Sequence, residues 1–277
     1  FDPFGFANSI EPFVADPVVN LTVMLLITLG GMGFSVILDI LRHRRFRLLM
    51  LHSRIVLVMT GILFLSGWLL TLLLEWDNPA TLGKLPPAVR VMAAAFQSVT
   101  LRTAGFDTIG QGGLTPAGQM VAIIHMFIGA SPASTGGGIK TTTFFVVFLS
   151  VAAMVRRKTD YNVYRRRLNE QLIRRALAIF TLALTLVLFD TVVISAVEGV
   201  AGAEDTLADV LYETVSAFAT VGLTTGITPT LSVVSKLLIS LTMFLGRVGP
   251  LTVSMALSGG PQKPDAIRYP EERLMVG

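Results

Sequence analysis

Apolar residues occur along this chain in long runs, which are separated by short polar and charged segments. A transmembrane helix needs about 20 consecutive, mostly apolar residues. The runs at 17–41, 53–74, 173–197 and 231–257 have that length. The pattern therefore predicts an all-α membrane protein that crosses the bilayer several times.

A further apolar region, 116–155, is interrupted by the segment GASPASTGGGIKTTT. Its glycines, lysine and threonines raise the question of a phosphate-binding loop, which requires G-x-x-x-x-G-K-[ST]. Ser134 and Ile139 occupy the two required glycine positions, so the motif fails. Proline and consecutive glycines are poor helix formers. The segment is therefore predicted to break a membrane helix.

Two shorter apolar segments lie between the long runs, at 87–110 and 207–228. Each begins with about 12 apolar residues, too few to span a bilayer, and then becomes rich in threonine and glycine. Irregular backbone at membrane depth is tolerated only where protein or water surrounds it. We predict re-entrant pore helices, each followed by a loop.

Arginine clusters give the orientation of the spans. The segments 42–54 and 156–175 hold 13 of the 22 basic residues, whereas 198–209 has four acidic residues and no basic one. Positively charged loops remain in the cytoplasm, so both re-entrant loops are predicted to face outward.

Composition supports a membrane protein, with 52% hydrophobic and 14% charged residues. Soluble domains carry about 25% charged residues. The absence of cysteine excludes disulfides and thiolate metal sites, and the three histidines are too scattered for a metal cluster. The net charge of +4 belongs to loops between apolar runs, so no nucleic-acid partner is expected. The sequence shows no nucleophile elbow or paired carboxylates, so no enzyme is expected.

The two re-entrant segments resemble each other. FQSVTLRTAGFDTIG at 96–110 and VSAFATVGLTTGIT at 215–228 each place Thr-x-Gly after a short helix. Carbonyl oxygens of such loops can replace the hydration shell of a potassium ion, and glycine permits the positive φ that points them inward. The predicted ion-binding residues are Thr103, Ala104, Gly105, Phe106, Thr220, Val221, Gly222 and Leu223. FDPFG at the start matches FDTIG, so the chain is expected to begin just after the filter of an earlier repeat.

Several motifs in order make the sequence similar to the Trk/Ktr/HKT superfamily of potassium uptake proteins, most closely to the Ktr-type membrane subunit. They are FQSVTLRTAGF, GASPASTGGGIKTTTF, SAFATVGLTTG, FLGRVGPLT and RYPEERLMVG, preceded by GGMGFSVILD. The resemblance implies repeated units of outer helix (M1), pore helix with loop, and inner helix (M2). Residues 1–50 are then the end of repeat two, 51–158 repeat three and 159–277 repeat four. With two of four filters, the chain by itself is not expected to conduct.

The same resemblance implies a gate formed by the intramembrane loop beneath the filter, together with an arginine. The implied gate residues are Gly129, Ser131, Pro132, Ser134, Thr135, Gly136, Gly137, Gly138, Lys140 and Arg247. Lys140 is expected at the cytoplasmic end of the loop. Arg247 lies mid-span, where a charge is costly, and is expected to contact loop carbonyls. The alternatives are a glycine-rich kink for the loop, and a salt bridge to Asp190 or Glu213 for the arginine.

The resemblance also implies partners. It implies a homodimer in the cell membrane, surrounded by the lipid bilayer, and a cytosolic ring of nucleotide-binding regulatory subunits that binds ATP or ADP. Potassium would be the transported ion at the filter and sodium a coupling ion, with no cofactor bound by this chain. Docking is expected at the basic loops and the C-terminal tail.

Three other functions remain as alternatives. A secondary transporter for another small solute or cation also uses broken helices, but often shows inverted repeats, whereas these repeats run parallel. An intramembrane enzyme would need a pair such as Ser131 and His125. A membrane scaffold would give the twin Thr-x-Gly loops no purpose.

Overall fold

The computed structural model describes residues 9–157, 160–164, 166–201 and 205–249. FDPFG, RYPEERLMVG and the C-terminal tail lie outside these ranges, so the expectations attached to them are not tested.

Helices make up almost all of the regular structure in the described ranges, as predicted. They are α1 (Pro17–Met32), α2 (Phe34–Arg42), α3 (Leu51–Glu75), α4 (Pro87–Thr100), α5 (Pro116–Phe127), α6 (Thr141–Val155), α7 (Glu170–Ala201), α8 (Leu207–Phe218) and α9 (Val233–Val248). Two short strands, β1 (Asn162–Val163) and β2 (Arg166–Arg167), pair antiparallel in the arginine-rich connection before α7.

Two described helices are long and apolar enough to cross a membrane alone, Leu51–Glu75 and Glu170–Val200. The 25 residues of α3 are about 37 Å long, more than the 30 Å or so of the hydrocarbon core. The spans predicted at 53–74 and 173–197 are therefore confirmed, with ends a few residues longer.

The span predicted at 17–41 is not one helix. α1 and α2 meet at 95° around Gly33, whose φ is +85°. The Phe34 amide donates to the Ala133 carbonyl at 3.2 Å, and a Cβ on Gly33 would lie 2.5 Å from the Pro132 oxygen. The turn thus depends on a contact about 100 residues away, which apolarity alone does not reveal.

The last span also departs from its prediction. α9 ends at Val248 instead of running to 257, and Gly249 follows with a φ of +94°. Because Gly33 and Gly249 both end a 16-residue helix with nearly the same dihedral angles, they occupy equivalent places. The residues from 250 onward lie outside the described ranges.

The two pore helices are short, as predicted. α4 begins with prolines that suit a helix N-terminus, whereas α8 begins with a capping box between Thr206 and Asp209. At 14 and 12 residues they are about 21 and 18 Å long, so neither can cross the bilayer. Their C-terminal turns are buried and lead into the Thr-x-Gly loops.

A glutamate at the outer end of each long helix fixes the start of the following inner helix. Glu75 accepts the Thr115 amide at 2.9 Å, and Glu198 accepts the Ser232 amide at 3.0 Å. Thr115 and Ser232 are the N-caps of α5 and α9. Acceptors stabilise a helix N-terminus, so the same kind of contact sets the start of the inner helix in both units of the chain, α3 to α6 and α7 to α9.

Candidate functional site: an ion pathway

The backbone of the two Thr-x-Gly loops alternates in handedness. φ is positive at Thr103 (66°) and Gly105 (78°), and again at Thr220 (52°) and Gly222 (90°). Threonine rarely adopts a positive φ, so its recurrence at equivalent positions marks a required conformation. Alternation of this kind turns successive carbonyl groups toward one side of a loop.

The amide groups of these loops point back to their pore helices. The Thr220 and Val221 amides donate to Ala217 and Ser216 at 2.9 and 2.8 Å, and the Ala104 amide donates to Thr100 at 3.3 Å. The amide side of each loop therefore faces the C-terminal end of a helix. That end carries a partial negative charge, which favours a cation nearby.

A hydroxyl from the last turns of each pore helix holds the carbonyl that follows the filter glycine. Thr100 donates to the Phe106 carbonyl, and Ser216 donates to the Leu223 carbonyl at 2.6 Å. Phe106 and Leu223 are among the predicted ion-binding residues. A carbonyl has two lone pairs, so each bond fixes its direction without using its full accepting capacity.

The structure brings the two predicted filter loops together. A Cβ on Gly105 would overlap the Val221 carbonyl, and a Cβ on Gly222 would lie 3.7 Å from the Gly105 Cα. Only glycine allows this approach at position 105. The two loops therefore form adjoining parts of one wall.

The interrupting loop, residues 128–140, lies against the first residue of each filter loop. The Gly137 amide donates to Thr220 Oγ1 at 3.1 Å, and a Cβ on Gly136 would overlap Thr103 Oγ1. A Cβ on Gly138 would meet the Ala219 Cβ at 3.1 Å. The consecutive glycines thus let backbone, without side chains, fill the space next to the filter.

Two cationic side chains contact this loop. Lys140 donates to the Gly136 carbonyl, and Arg247 donates to the Thr135 carbonyl. The expected contact between Arg247 and a loop carbonyl is confirmed, while its effect on ion flow stays a prediction. Lys140 is the last residue of the loop, and its amine points back toward the loop's own backbone.

The loop is also tied to α1. The Ser131 amide donates to the Gly31 carbonyl at 3.0 Å, and the Thr135 amide donates to Gly30 at 3.4 Å. Within the loop, Ser134 donates to the Ser131 carbonyl at 2.5 Å. Contacts from α1 and α9 therefore hold this segment in place. It is a folded loop with its own hydrogen bonds, and not a simple glycine-rich kink between two helices.

The alternative ion pairs of Arg247 are not formed. Asp190 accepts from Thr242 at 2.5 Å. Glu213 accepts from Thr224, from Thr228 at 2.9 Å and from the Thr225 amide at 3.1 Å. Asp190 thus joins α7 to α9 through the Thr242 side chain, and Glu213 supports the loop that follows the second Thr-x-Gly segment.

The pair of residues that an enzyme would need is not assembled. His125 Nε2 lies 3.1 Å from Ser66 Oγ, and its Nδ1 lies 2.9 Å from the Val121 carbonyl. Ser131 instead accepts from Thr141 at 3.4 Å. Among the described residues, no group of three potential ligand side chains could hold a metal ion.

A buried polar chain between the two units escaped the sequence analysis. Tyr212 and Gln97 both donate to Gln111 Oε1, at 2.9 and 2.6 Å. All three are almost fully buried, which for glutamine is unusual unless it is hydrogen-bonded. The glutamine among apolar residues at position 97 was the available signal, but sequence alone could not pair it with Gln111 and Tyr212.

Outside the spans, the first Thr-x-Gly loop leads to a half-buried acid, Asp107. The Asp107 carbonyl accepts from the Ile10 amide at 3.2 Å, which joins the segment before α1 to this loop. Burial is the main cause that raises the pKa of the Asp107 carboxyl.

The geometry thus combines repeated short helices, adjoining Thr-x-Gly loops and a third loop packed against the first residue of each. The family model of TrkH, described as cation transport protein, matches residues 5–263. The chain belongs to this family. The members of this family are transporters. As a member, this chain belongs to an integral membrane protein with apolar helices.

Among relatives in the TrkH family, the Ktr system potassium uptake protein B of Bacillus subtilis is 37% identical over 280 residues, covering 100% of this chain and 61% of that protein. The protein of the same name from Vibrio alginolyticus is 38% identical over 274 residues, covering 98% and 59%. The potassium/sodium uptake protein NtpJ of Enterococcus hirae is 36% identical over 258 residues, covering 93% and 57%. The chain thus spans about three fifths of the length of these relatives.

Among solved structures, the potassium transporter TrkH from Vibrio parahaemolyticus has a similar fold. The TM-score is 0.72 at 18% sequence identity, over 90% of this chain and 54% of that one. This likeness supports the fold.

Proposed function

We propose that the full protein to which this chain belongs takes up potassium across the cell membrane, through a filter partly lined by these two loops. The observation that carries the proposal is the paired, adjoining Thr-x-Gly loops with positive φ at equivalent residues. Relatives named for potassium uptake support it. Uptake of an ion needs no covalent chemistry, so no enzymatic activity is proposed.

The loop 128–140 is proposed to act as the gate. It touches the first residue of both filter loops, so an ion leaving the filter meets its backbone. Arg247 and Lys140 place positive charge against the same loop, which raises the barrier for a cation. Movement of the loop away from Thr220 would lower this barrier.

The proposal extends to partners. A homodimer in the lipid bilayer and a cytosolic ring of nucleotide-binding regulatory subunits are proposed, supported by relatives that are named as parts of a Ktr system. Potassium is the proposed cargo, and sodium the proposed coupling ion, since one relative is named a potassium/sodium uptake protein. We propose no cofactor for this chain and no nucleic-acid partner.

The test is rubidium uptake by the full-length protein in a bacterium that lacks potassium transport. Gly222→Asp should abolish uptake and growth at low potassium, because Gly222 has a φ of +90° and lies beside Gly105. Gly199→Asp is the matched control, since Gly199 is exposed with no neighbouring atom within 4 Å of an added Cβ.

Loss of uptake in the first variant alone, at equal membrane expression, would support the filter. Uptake that survives Gly222→Asp would remove the filter assignment. Failure of the unmutated protein to rescue growth with any regulatory subunit would favour a secondary transporter of another solute.

A further inference from the structure

The axis of α2 is nearly perpendicular to that of α1, and α2 lies at the cytoplasmic end of α1. It is bent by 95° from α1, which is the helix that enters the membrane. Its Asp39 accepts the Met50 amide at 2.9 Å, directly before the first residue of α3. Because α3 begins on the cytoplasmic side by its charge pattern, α2 lies along the membrane surface at that level.

The outward face of α2 is apolar. Phe34, Leu38 and Leu41 are 68%, 40% and 67% exposed and follow the i, i+4, i+7 spacing of one helix face. Val36 and Asp39 on the other face are buried against the protein. This orientation is the reverse of that of a helix on a water-soluble domain, and it suits contact with acyl chains.

Four arginines follow this apolar stripe directly. Arg42, Arg44, Arg45 and Arg47 are all exposed, and none forms an ion pair within the described ranges. Phe46, Leu48 and Met50 between and after them are exposed as well. Basic residues interleaved with apolar ones are typical of segments that lie in the headgroup region of anionic membranes.

We propose that α2 and residues 43–50, the α2 surface, bind anionic phospholipids of the cytoplasmic leaflet. The stripe Phe34, Leu38 and Leu41 enters the acyl region, while the arginines bind phosphate groups. The positive charge of the surface complements the negative charge of that leaflet. A neutral lipid could contact the apolar stripe with its acyl chains, but it would offer the arginines no net negative charge.

The α2 surface is joined to the loop 128–140. The Phe34 amide donates to the Ala133 carbonyl at 3.2 Å, and Gly33 packs against the Pro132 oxygen. Lipids that hold α2 in place therefore bias the position of this loop, and so the rate of uptake. This second step rests on the proposed function, whereas lipid binding does not.

Binding is tested by tryptophan quenching in the full-length protein. All native tryptophans, including Trp68 and Trp76, are first replaced by phenylalanine. Leu41→Trp is then introduced as the single tryptophan of the full chain. The protein is reconstituted with dibrominated phosphatidylglycerol or dibrominated phosphatidylcholine, whose bromines quench neighbouring tryptophan. The anionic lipid should associate more strongly, by about fivefold for each arginine engaged.

Two matched variants are controls. Leu69→Trp is also exposed on a lipid-facing helix but lies 15 residues from Arg54, about 22 Å, and should show no lipid preference. Replacing the four arginines by glutamine in Leu41→Trp should remove the preference but keep quenching by the stripe.

Equal quenching of Leu41→Trp by both lipids would overturn the anionic site. No quenching by either lipid would overturn the whole proposal, and would mean that a second copy, a regulatory subunit or the rest of the chain covers α2. Rubidium flux into liposomes with and without phosphatidylglycerol is measured separately. If the anionic lipid is preferred but the unmutated protein shows no rubidium flux, the proposed function is refuted, while lipid binding by the α2 surface is still supported.

Discussion

The unit α3 to α6 and the unit α7 to α9 are alike at the filter and unlike below it. Both have a glutamate that holds the next helix, a pore-helix hydroxyl that holds a filter carbonyl, and a Thr-x-Gly loop with positive φ. Below the filter, α5 stops at Phe127, whereas α9 continues to Val248.

Under the proposed function, this difference separates two tasks. Coordination of an ion needs the same oxygen geometry from every side, which keeps the outer halves alike. A gate needs an element that can move, and the loop 128–140 of the first unit is the proposed one. The second unit supplies Arg247, which holds that loop from the opposite side.

The largest effect is expected from alanine at the two filter glycines. Both have positive φ, where a Cβ costs about 1–2 kcal/mol, but only at Gly105 would it also overlap the Val221 carbonyl. Gly105→Ala should abolish rubidium uptake, and Gly222→Ala should only reduce it. Equal losses at equal expression would show that the loops adjoin differently.

The two glutamates should differ in their effect on stability. Glu75 also accepts from Thr81, and the Thr115 hydroxyl and amide both donate to it. Glu75→Gln turns an amide donor toward these donors and should lower the free energy of unfolding by about 3 kcal/mol. Glu198→Gln should lower it by about 1 kcal/mol. Thermal unfolding in detergent measures both, and a reversed order would refute the comparison.

The two cations on the loop should differ in their effect on flux. Arg247 ties the loop to α9, and a charged hydrogen bond contributes about 1.5 kcal/mol, so Arg247→Gln should raise rubidium flux about tenfold. The Lys140 bond lies within the loop, so Lys140→Gln should raise flux less. Unchanged flux in a well-folded Arg247→Gln protein would count against its part in the gate.

The smallest effect is expected where the two units are most alike. Thr100→Val and Ser216→Ala each remove a hydroxyl that holds a filter carbonyl. A neutral hydrogen bond contributes about 1 kcal/mol, so selectivity for rubidium over sodium should fall about fivefold in each variant. Competition of sodium with rubidium uptake measures this. A large change in one variant alone would mean that the filter is not held equally by both units.

Local patterns in the sequence were enough to predict the two short helices and the irregular Thr-x-Gly loops that follow them. The runs before Thr103 and Thr220 are too short to span, and threonine and glycine mark irregular backbone. The positions where prediction failed depend on contacts between distant residues. The bend at Gly33 needs the Ala133 carbonyl, which is about 100 residues away along the chain.

One signal for the bend was present in the sequence. GGMGF at 30–34 aligns with GRVGP at 246–250, and the fourth position of each is the glycine that ends its helix. The prediction followed the apolar run at 17–41 instead of this alignment, because the run is long enough to cross the membrane as one helix. For Gln97, Gln111 and Tyr212 the sequence offers no comparable alignment, so their pairing could not be foreseen.

The bonds between Glu75 and Thr115 also bear on biosynthesis. The two residues are 40 positions apart, so at about 5–20 residues per second the ribosome adds the threonine about 2–8 s after the glutamate. During that interval the outer end of α3 has no α5 to hold. The intervening pore helix has its own bonds to α3, so only the bonds that fix the start of α5 must wait for this interval to end.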